Sequence, residues 1–153
     1  MLRRALAAAL LLACSSAEPL SPEEEIAALV ASFGEAASGR DAGAASDLLS
    51  ESYADPAGRD KRALKALVTH YFLGHEAIHV FSRVRSIELG DPPAAADVVV
   101  AAALTGAPVA DVGELETLSA DLYRFELELR RDDDGRWRIT SARWRPARLG
   151  DFL

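Results

Sequence analysis

Apolar residues recur at two different spacings in the two halves of the chain. Up to about residue 73 they return every three or four positions, which is typical of amphipathic helices. A residue that can cap a helix precedes each such stretch, and a glycine or a proline follows it. The pattern predicts three helices, which begin after Ser21, Asp41 and Asp60 and end near Ser38-Gly39, Ser52–Pro56 and Gly74.

The second half of the chain has the spacing of β-strands. Apolar and charged side chains alternate at the start of Tyr123–Pro146 and a turn-forming Asp-Asp-Asp-Gly follows, so this stretch predicts a β-hairpin. Two earlier strands are predicted at Ile78–Leu89, with a bulge, and at Asp97–Thr105. Helices followed by strands predict one α+β domain at residues 22–153, with three N-terminal helices packed on a curved, mainly antiparallel four-strand sheet.

The first fourteen residues have the features of an export signal. Arg3 and Arg4 precede an apolar run, Ala5–Ala13, that is too short to span a bilayer. The run ends in Leu11-Leu12-Ala13-Cys14, which resembles the lipobox of bacterial lipoproteins. An ordinary secretory signal followed by a free cysteine is the alternative interpretation.

The lipobox resemblance implies a protein held in the membrane by lipid on Cys14. Residues 1–13 would be a signal peptide, Cys14 would carry palmitate or a similar acyl chain, and residues 14–21 would form a tether. Ser15 after the cysteine is typical of lipoproteins on the periplasmic face of the outer membrane. Cys14 is the single cysteine of the chain, so no intrachain disulfide can form.

The charge of the chain argues against a nucleic-acid partner. The formal net charge is −7, and removing residues 1–13 would take away two basic side chains and no acidic one. Neutralising phosphates requires a basic face, so we expect no binding to nucleic acid. The same charge would repel anionic lipid headgroups, so the lipid rather than the protein surface is expected to provide the membrane attachment.

Several local phrases resemble the nuclear transport factor 2-like (NTF2-like) superfamily. They are Ala36–Asp41 at a helix junction, Tyr53–Pro56 at a helix end and Gly135–Ile139 in the last strand. The resemblance covers about residues 22–147 and implies a cone, in which a bent sheet and helices enclose a pocket. Members include isomerases, dehydratases, polyketide cyclases and binding domains without chemistry, so the fold does not define the function.

The resemblance also locates two positions used by the steroid isomerases of this superfamily. Their oxyanion-stabilising tyrosine corresponds to Phe33, which has no hydroxyl to donate. Their catalytic aspartate falls near Asp55, for which a helix-end or turn aspartate before Pro56 is the favoured interpretation. The chain therefore departs from the isomerase pattern at one of two positions.

Other side chains are candidates for a ligand pocket or for proton transfer. His79 lies between two apolar residues and could serve as a base near neutral pH if it faced the pocket. His70, His75 and His79 are separated by Gly74, so no metal site is predicted, and no cofactor is expected. The weak catalytic candidates are His79, Asp55 and Tyr71. The predicted ligand-binding residues are Phe33, Tyr53, Tyr71, His79, Tyr123 and Trp137, although a filled core is the other, and for most of the tyrosines and tryptophans the favoured, interpretation.

No complete catalytic set is visible, so the sequence favours a non-catalytic, lipid-anchored envelope protein. Its domain would bind a small apolar ligand or a partner protein, with a homodimer through the outer face of the sheet as one arrangement. Arginines along the hairpin would pair across strands with Glu126 and Glu128 or form a docking surface. The alternative is an enzyme that transfers protons on a small hydrophobic substrate.

Overall fold

Three helices form the N-terminal part of the structure. The computed structural model of the chain describes residues 18–153, so the predicted signal peptide and Cys14 lie outside the described residues. The helices are α1 (Pro22–Ser38), α2 (Ala42–Asp47) and α3 (Lys61–Leu73). None of the helices in residues 18–153 has the length and hydropathy needed to cross a bilayer.

Side-chain caps set where the helices begin, as predicted. Ser21 accepts a hydrogen bond from the backbone N–H of Glu24, and the Glu24 carboxylate accepts one from Ser21 N–H. Asp41 and Asp60 accept bonds from the N–H groups of Ala44 and Ala63 at the starts of α2 and α3. Each bond satisfies a donor that the helix itself leaves without a partner.

The second helix is shorter than predicted. It ends at Asp47 rather than near residues 52–56, because the chain then pairs with the last strand. Ser50 N–H donates to Ile139 O over 2.9 Å, and Ile139 N–H donates to Leu48 O over 3.0 Å. These tertiary hydrogen bonds replace the helical ones that the local sequence allows.

Four antiparallel strands follow in the order β1-β2-β3-β4. They are β1 (His79–Leu89), β2 (Ala95–Thr105), β3 (Ala120–Arg131) and β4 (Trp137–Pro146), which confirms the predicted fold class. Short 3₁₀ helices at Val112–Glu116 and Leu149–Phe152 precede β3 and follow β4. A register shift between Val84 and Ser86 confirms the bulge predicted in β1.

The two faces of the sheet have different coverings. The inner face packs on the helices, with Ile26, Leu29, Val98, Leu129 and Trp137 in the main buried cluster. The outer face carries a smaller apolar cluster around Phe152, which is 1% exposed and covers β1 and β2 from outside. This arrangement explains why β2 is apolar on both sides.

Candidate functional site

A cavity of about 280 Å³ lies between the inner face of the sheet and the helices. Its helical wall comes from α1 and α3, and its sheet wall comes from all four strands. Most of the lining side chains are aliphatic or aromatic, and the polar groups are supplied by Ser82, Tyr71, Tyr123 and Trp144. The other lining residues are Leu29, Val30, Phe33, Ala37, Leu49, Leu64, Leu67, Val68, Phe72, Val80, Val100, Ala102, Leu104, Phe125, Leu127, Ile139 and Ala142.

The cavity is closed at one end and open at the other. Leu49, Leu64 and Ile139 are buried in the main apolar cluster and close one end. Leu67 is 42% exposed although it lines the cavity, and Tyr71 lies one helical turn further along the same face of α3. The open end therefore lies beside the second half of α3.

A tyrosine–aspartate pair stands at this open end. The Tyr71 hydroxyl donates to Asp121 Oδ2 over 2.9 Å, which joins α3 to the start of β3. Asp121 is exposed, and it lies opposite Leu104 and two residues before Tyr123, both of which line the cavity. The carboxylate is therefore one hydrogen bond from the lining.

Tyr71 is held as a neutral hydrogen-bond donor. Burial of the ring raises the pKa of its hydroxyl, and the bond to Asp121, the negative charge of that carboxylate and the nearby Tyr123 raise it further. The proton consequently stays on Tyr71 at all physiological pH values. The arrangement suits orientation of a polar group rather than removal of a proton.

His75 fixes the position of Tyr71. The two rings stack with centroids 4.1 Å apart, and His75 Nδ1 lies 2.7 Å from Tyr71 O. Arg40 donates to His75 O over 3.0 Å and so anchors the loop after α3. The hydroxyl at the open end therefore has a rigid support.

Asp55 occupies a different, closed site. Its side chain is fully buried and accepts four hydrogen bonds, from Tyr53 Oη, Arg59 Nε and the N–H groups of Ala57 and Arg59. Burial raises the pKa of this carboxyl, but the bonds from Arg59 and Tyr53 outweigh burial and hold the pKa below its usual value. Asp55 is not among the cavity-lining residues, and the structure gives it the position of a buried turn residue.

His79 does not face the cavity, contrary to the prediction. It is the first residue of β1, and its neighbours Val80 and, two residues on, Ser82 point inward and line the cavity. Because side chains alternate along a strand, His79 lies on the outer side with Phe81, which packs beside Phe152. The imidazole is therefore not available to a ligand in the cavity.

Tyr53 and Trp137 lie in the core rather than in the cavity wall. Tyr53 is 2% exposed and its hydroxyl donates to Asp55 Oδ2 over 3.1 Å. Trp137 is 4% exposed and its Nε1 donates to Glu25 Oε2 over 3.0 Å, which joins β4 to the start of α1. The polar group of each of these two aromatic residues therefore forms a hydrogen bond within the protein.

The structure brings three of the six predicted ligand-binding residues together. Phe33, Tyr71 and Tyr123 line the cavity. Sequence reasoning missed Asp121, although it has the same strand parity as Tyr123 and Phe125 and could have been placed on the inner face by extending the alternation backwards. The apolar lining positions on β2 gave no such signal because that strand is apolar on both faces, and on β1 the alternation is interrupted by the bulge.

Comparison with known proteins identifies the architecture. No protein-family model matches the chain, and no curated protein matches it in sequence. An NTF2-like protein with a cystatin-like fold from Novosphingobium aromaticivorans is 21% identical with a TM-score of 0.61, and 80% of each chain is covered. A ketosteroid isomerase-like protein from Erwinia carotovora is 13% identical with a TM-score of 0.59, and the match covers 82% of this chain and 95% of that one.

A third solved structure has the same architecture and no assigned activity. This NTF2-like protein of unknown function from Shewanella baltica is 12% identical with a TM-score of 0.56, and the match covers 82% of this chain and 94% of that one. Sequence identities this low compare folds and not sites. The described part of the chain, with three helices packed on a four-strand antiparallel sheet around a cavity, has the α+β fold of these NTF2-like and ketosteroid isomerase-like structures.

Proposed function

We propose that this chain is a lipid-anchored cell-envelope protein whose cavity binds a small, mainly apolar ligand without chemical conversion. The observation that carries the proposal is the cavity of about 280 Å³ with an almost wholly apolar lining. Ligand pockets of known proteins are mostly apolar with a few polar groups that orient the ligand. Tyr71 and Tyr123 provide such groups at the open end.

The size of the cavity limits the ligand. An apolar protein cavity of about 150 Å³ is large enough to bind benzene, and this cavity has nearly twice that volume. The best-fitting ligand is therefore on the order of two fused rings, or an acyl chain of similar volume. Larger ligands would have to extend past Leu67 into solvent.

The three candidates for catalysis that the sequence offered, Asp55, His79 and Tyr71, are unsuited to act as a general base. A general base needs a free lone pair within reach of the substrate and a pKa near the working pH. Asp55 uses both carboxylate oxygens in hydrogen bonds, and His79 lies on the outer side of β1. Tyr71 holds its proton because its pKa is raised.

Filling the cavity tests the binding proposal. In the chain with Cys14→Ala, Ala102→Leu adds three carbons to the lining, whereas Ala66→Leu adds them to an exposed position on α3. We expect a neutral naphthalene dye such as prodan to bind the parent and the Ala66→Leu protein with a blue-shifted emission. Ala102→Leu should weaken binding at least tenfold while the urea midpoint stays the same or rises, since the side chain fills empty space.

Equal dye affinity in the two leucine variants would contradict the proposal. Native mass spectrometry of the protein from the periplasm provides a second measurement. A reproducible extra mass that Ala102→Leu abolishes would identify the natural ligand.

The anchor is the second part of the proposal. It is supported by Arg3 and Arg4, by the short apolar run and by Leu11-Leu12-Ala13-Cys14. We expect the wild-type chain to fractionate with the outer membrane and to incorporate labelled palmitate, and Cys14→Ala to lose the label. Ser15→Ala is a matched control that keeps the cysteine. Label on the Cys14→Ala protein would refute lipidation at this residue.

The alternative function is proton transfer on a small hydrophobic ketone, in which the Asp121 carboxylate takes the α-proton and the Tyr71 hydroxyl turns from Asp121 to donate to the carbonyl oxygen. The observation that favours it is the hydroxyl donor at the open end of an apolar cavity. Exchange of the α-protons of 1-tetralone in D₂O, followed by NMR, tests it. Acceleration by the wild-type chain that Tyr71→Phe abolishes would support an enzyme, and exchange at the buffer rate would leave only the binding role.

A homodimer through the outer face of the sheet remains a proposal. The apolar part of that face is covered by Phe152, while the remainder carries charged side chains such as Glu126 and Arg143, which lie 3.6 Å apart across β3 and β4. Such a face suits a polar, salt-sensitive interface rather than an obligate one. Sedimentation equilibrium at low and high salt would test this.

A further inference from the structure

We propose that the ligand of this cavity carries a cationic amino group, which pairs with Asp121 at the open end. This inference rests on the proposed binding function. It goes further by assigning the charge of the ligand's polar end and the residue that recognises it.

The Asp121 carboxylate forms a hydrogen bond but no salt bridge within the described part of the chain. Its Oδ2 accepts the hydrogen bond from Tyr71, and among the described residues no arginine or lysine forms a salt bridge with it. Asp55 is the internal contrast, because Arg59 Nε lies 2.8 Å from that carboxylate and neutralises it. Asp121 therefore offers a negative charge that the described part of the chain leaves without a counterion.

A ligand in the cavity can place its end group close to Asp121. Tyr71 and Tyr123 both line the cavity, and the Tyr71 hydroxyl is 2.9 Å from Asp121 Oδ2. A ligand whose apolar body contacts Ala102 and Leu104 would place a group at its end near Asp121, since Leu104 lies opposite Asp121 on the neighbouring strand. An ammonium group there would meet the Asp121 carboxylate beside two tyrosines of the cavity lining, Tyr71 and Tyr123.

The negative charge at the open end disfavours anionic ligands. A ligand carboxylate at the same place would lie beside the Asp121 carboxylate, and like charges repel each other. The formal net charge of −7 adds a general preference for cations over anions. A fatty acid is therefore disfavoured at this cavity, although its chain would suit the lining.

A matched ligand series tests the inference in the full chain with Cys14→Ala, so that detergent does not compete for the cavity. The probes are 2-(2-naphthyl)ethylamine, 2-(2-naphthyl)ethanol and 2-naphthylacetate, measured by isothermal titration calorimetry at pH 7. We expect the amine to bind about fivefold more tightly than the alcohol, as for a partly exposed ion pair, and the acetate to bind more weakly than the alcohol.

Two amide variants assign the effect to Asp121. Asp121→Asn should reduce the amine-to-alcohol preference to about one while leaving the affinity for the alcohol unchanged, because the amide oxygen can still accept from Tyr71. Asp97→Asn is the control, since Asp97 is exposed on β2 and does not line the cavity. It removes one negative charge from the protein and should keep the preference.

The outcomes separate this inference from the binding proposal. If the alcohol binds at least as tightly as the amine, or if the two amide variants lose the preference equally, the inference is wrong and the apolar cavity still stands as the binding site. If none of the three probes binds and prodan does not bind either, the binding proposal fails and this inference fails with it.

Discussion

Asp55 and Asp121 are both hydrogen-bonded to a tyrosine hydroxyl, but they have different surroundings. The Asp55 side chain is fully buried, and its four donors hold the turn between α2 and α3. Arg59, which pairs with Asp55, also lies over the Trp144 ring, 4.4 Å from its centroid. Since Trp144 lines the cavity, the Asp55 cluster supports the cavity wall from behind.

We expect Asp55→Asn to lower the free energy of unfolding by about 1–3 kcal/mol at pH 7, the cost of leaving a buried partner without its charged acceptor. Urea denaturation would measure it. Asp134→Asn, in the exposed turn before β4, is the control and should have a smaller effect.

The effect of Asp55→Asn should depend on pH in a defined direction. The folded pKa of Asp55 is below its ordinary value, so the ionised carboxylate stabilises the protein above the unfolded pKa, and this contribution is lost as pH falls through the folded pKa. The difference between the wild type and the variant should therefore shrink below about pH 4. A constant difference from pH 7 to pH 3 would contradict the assigned ion pair.

For single residues, the sequence identified candidate side chains better than it predicted whether each one lies in the cavity wall or in the core. Tyr71 and Tyr123 were correctly placed in the cavity wall, whereas Tyr53 and Trp137 were not, because an aromatic residue with a polar group suits a pocket and a core equally well. His79 was misplaced because it sits at the junction of a loop and a strand, where flanking apolar residues do not define the inner side.

Helix α1 has a glycine, Gly34, where it packs against β1. A Cβ on Gly34 would lie 3.6 Å from Val80 Cβ, an ordinary van der Waals distance. We expect Gly34→Ala to raise the free energy of unfolding by about 0.5–1 kcal/mol, because glycine in a helix interior costs conformational entropy.

Gly135→Ala is the matched comparison for Gly34→Ala. Gly135 has φ +79° in the turn before β4, a conformation that favours glycine, so alanine there should destabilise the protein. Urea midpoints of the two variants should move in opposite directions. A loss of stability in Gly34→Ala would show that α1 cannot accept even a methyl group against β1.

The elements themselves were largely predictable, because caps, glycines and hydrophobic spacing are local signals. The three cap residues, the bulge in β1 and the hairpin turn with Gly135 were all placed from the sequence. The end of α2 was not, because the competing partner of Leu48 and Ser50 is Ile139, about ninety residues away. No window of local sequence contains that interaction.

On the scale of the whole molecule, the C-terminal segment covers the apolar part of the outer face of the sheet. Phe152 is 1% exposed, whereas the adjacent Leu153 is 77% exposed. Asp151 holds the segment in place by accepting from Arg145 over 3.2 Å, with Arg124 nearby. The C-terminal segment therefore packs on the domain through Phe152, whereas Leu153 extends into solvent.

We expect Phe152→Ala to lower the free energy of unfolding by about 3–5 kcal/mol, the typical cost of removing a buried phenylalanine. Leu153→Ala should change it by less than about 0.5 kcal/mol. Thermal unfolding of the two variants followed by circular dichroism would check this. Similar melting temperatures for both would mean that the last residues do not cover the sheet in solution.

The bridge between Leu49 and β4 also has a consequence for the behaviour of the protein at high concentration. As the last strand of an open sheet, β4 would present free backbone groups to other molecules, and such edges promote aggregation. Here the groups of Ile139 and Thr140 are already bonded to Leu48, Ser50 and Ala54 of the same chain. Further along β4, Arg143 and Arg145 add charged side chains and Pro146 ends the strand. Most of the edge is therefore protected against pairing with the sheet of a neighbouring molecule.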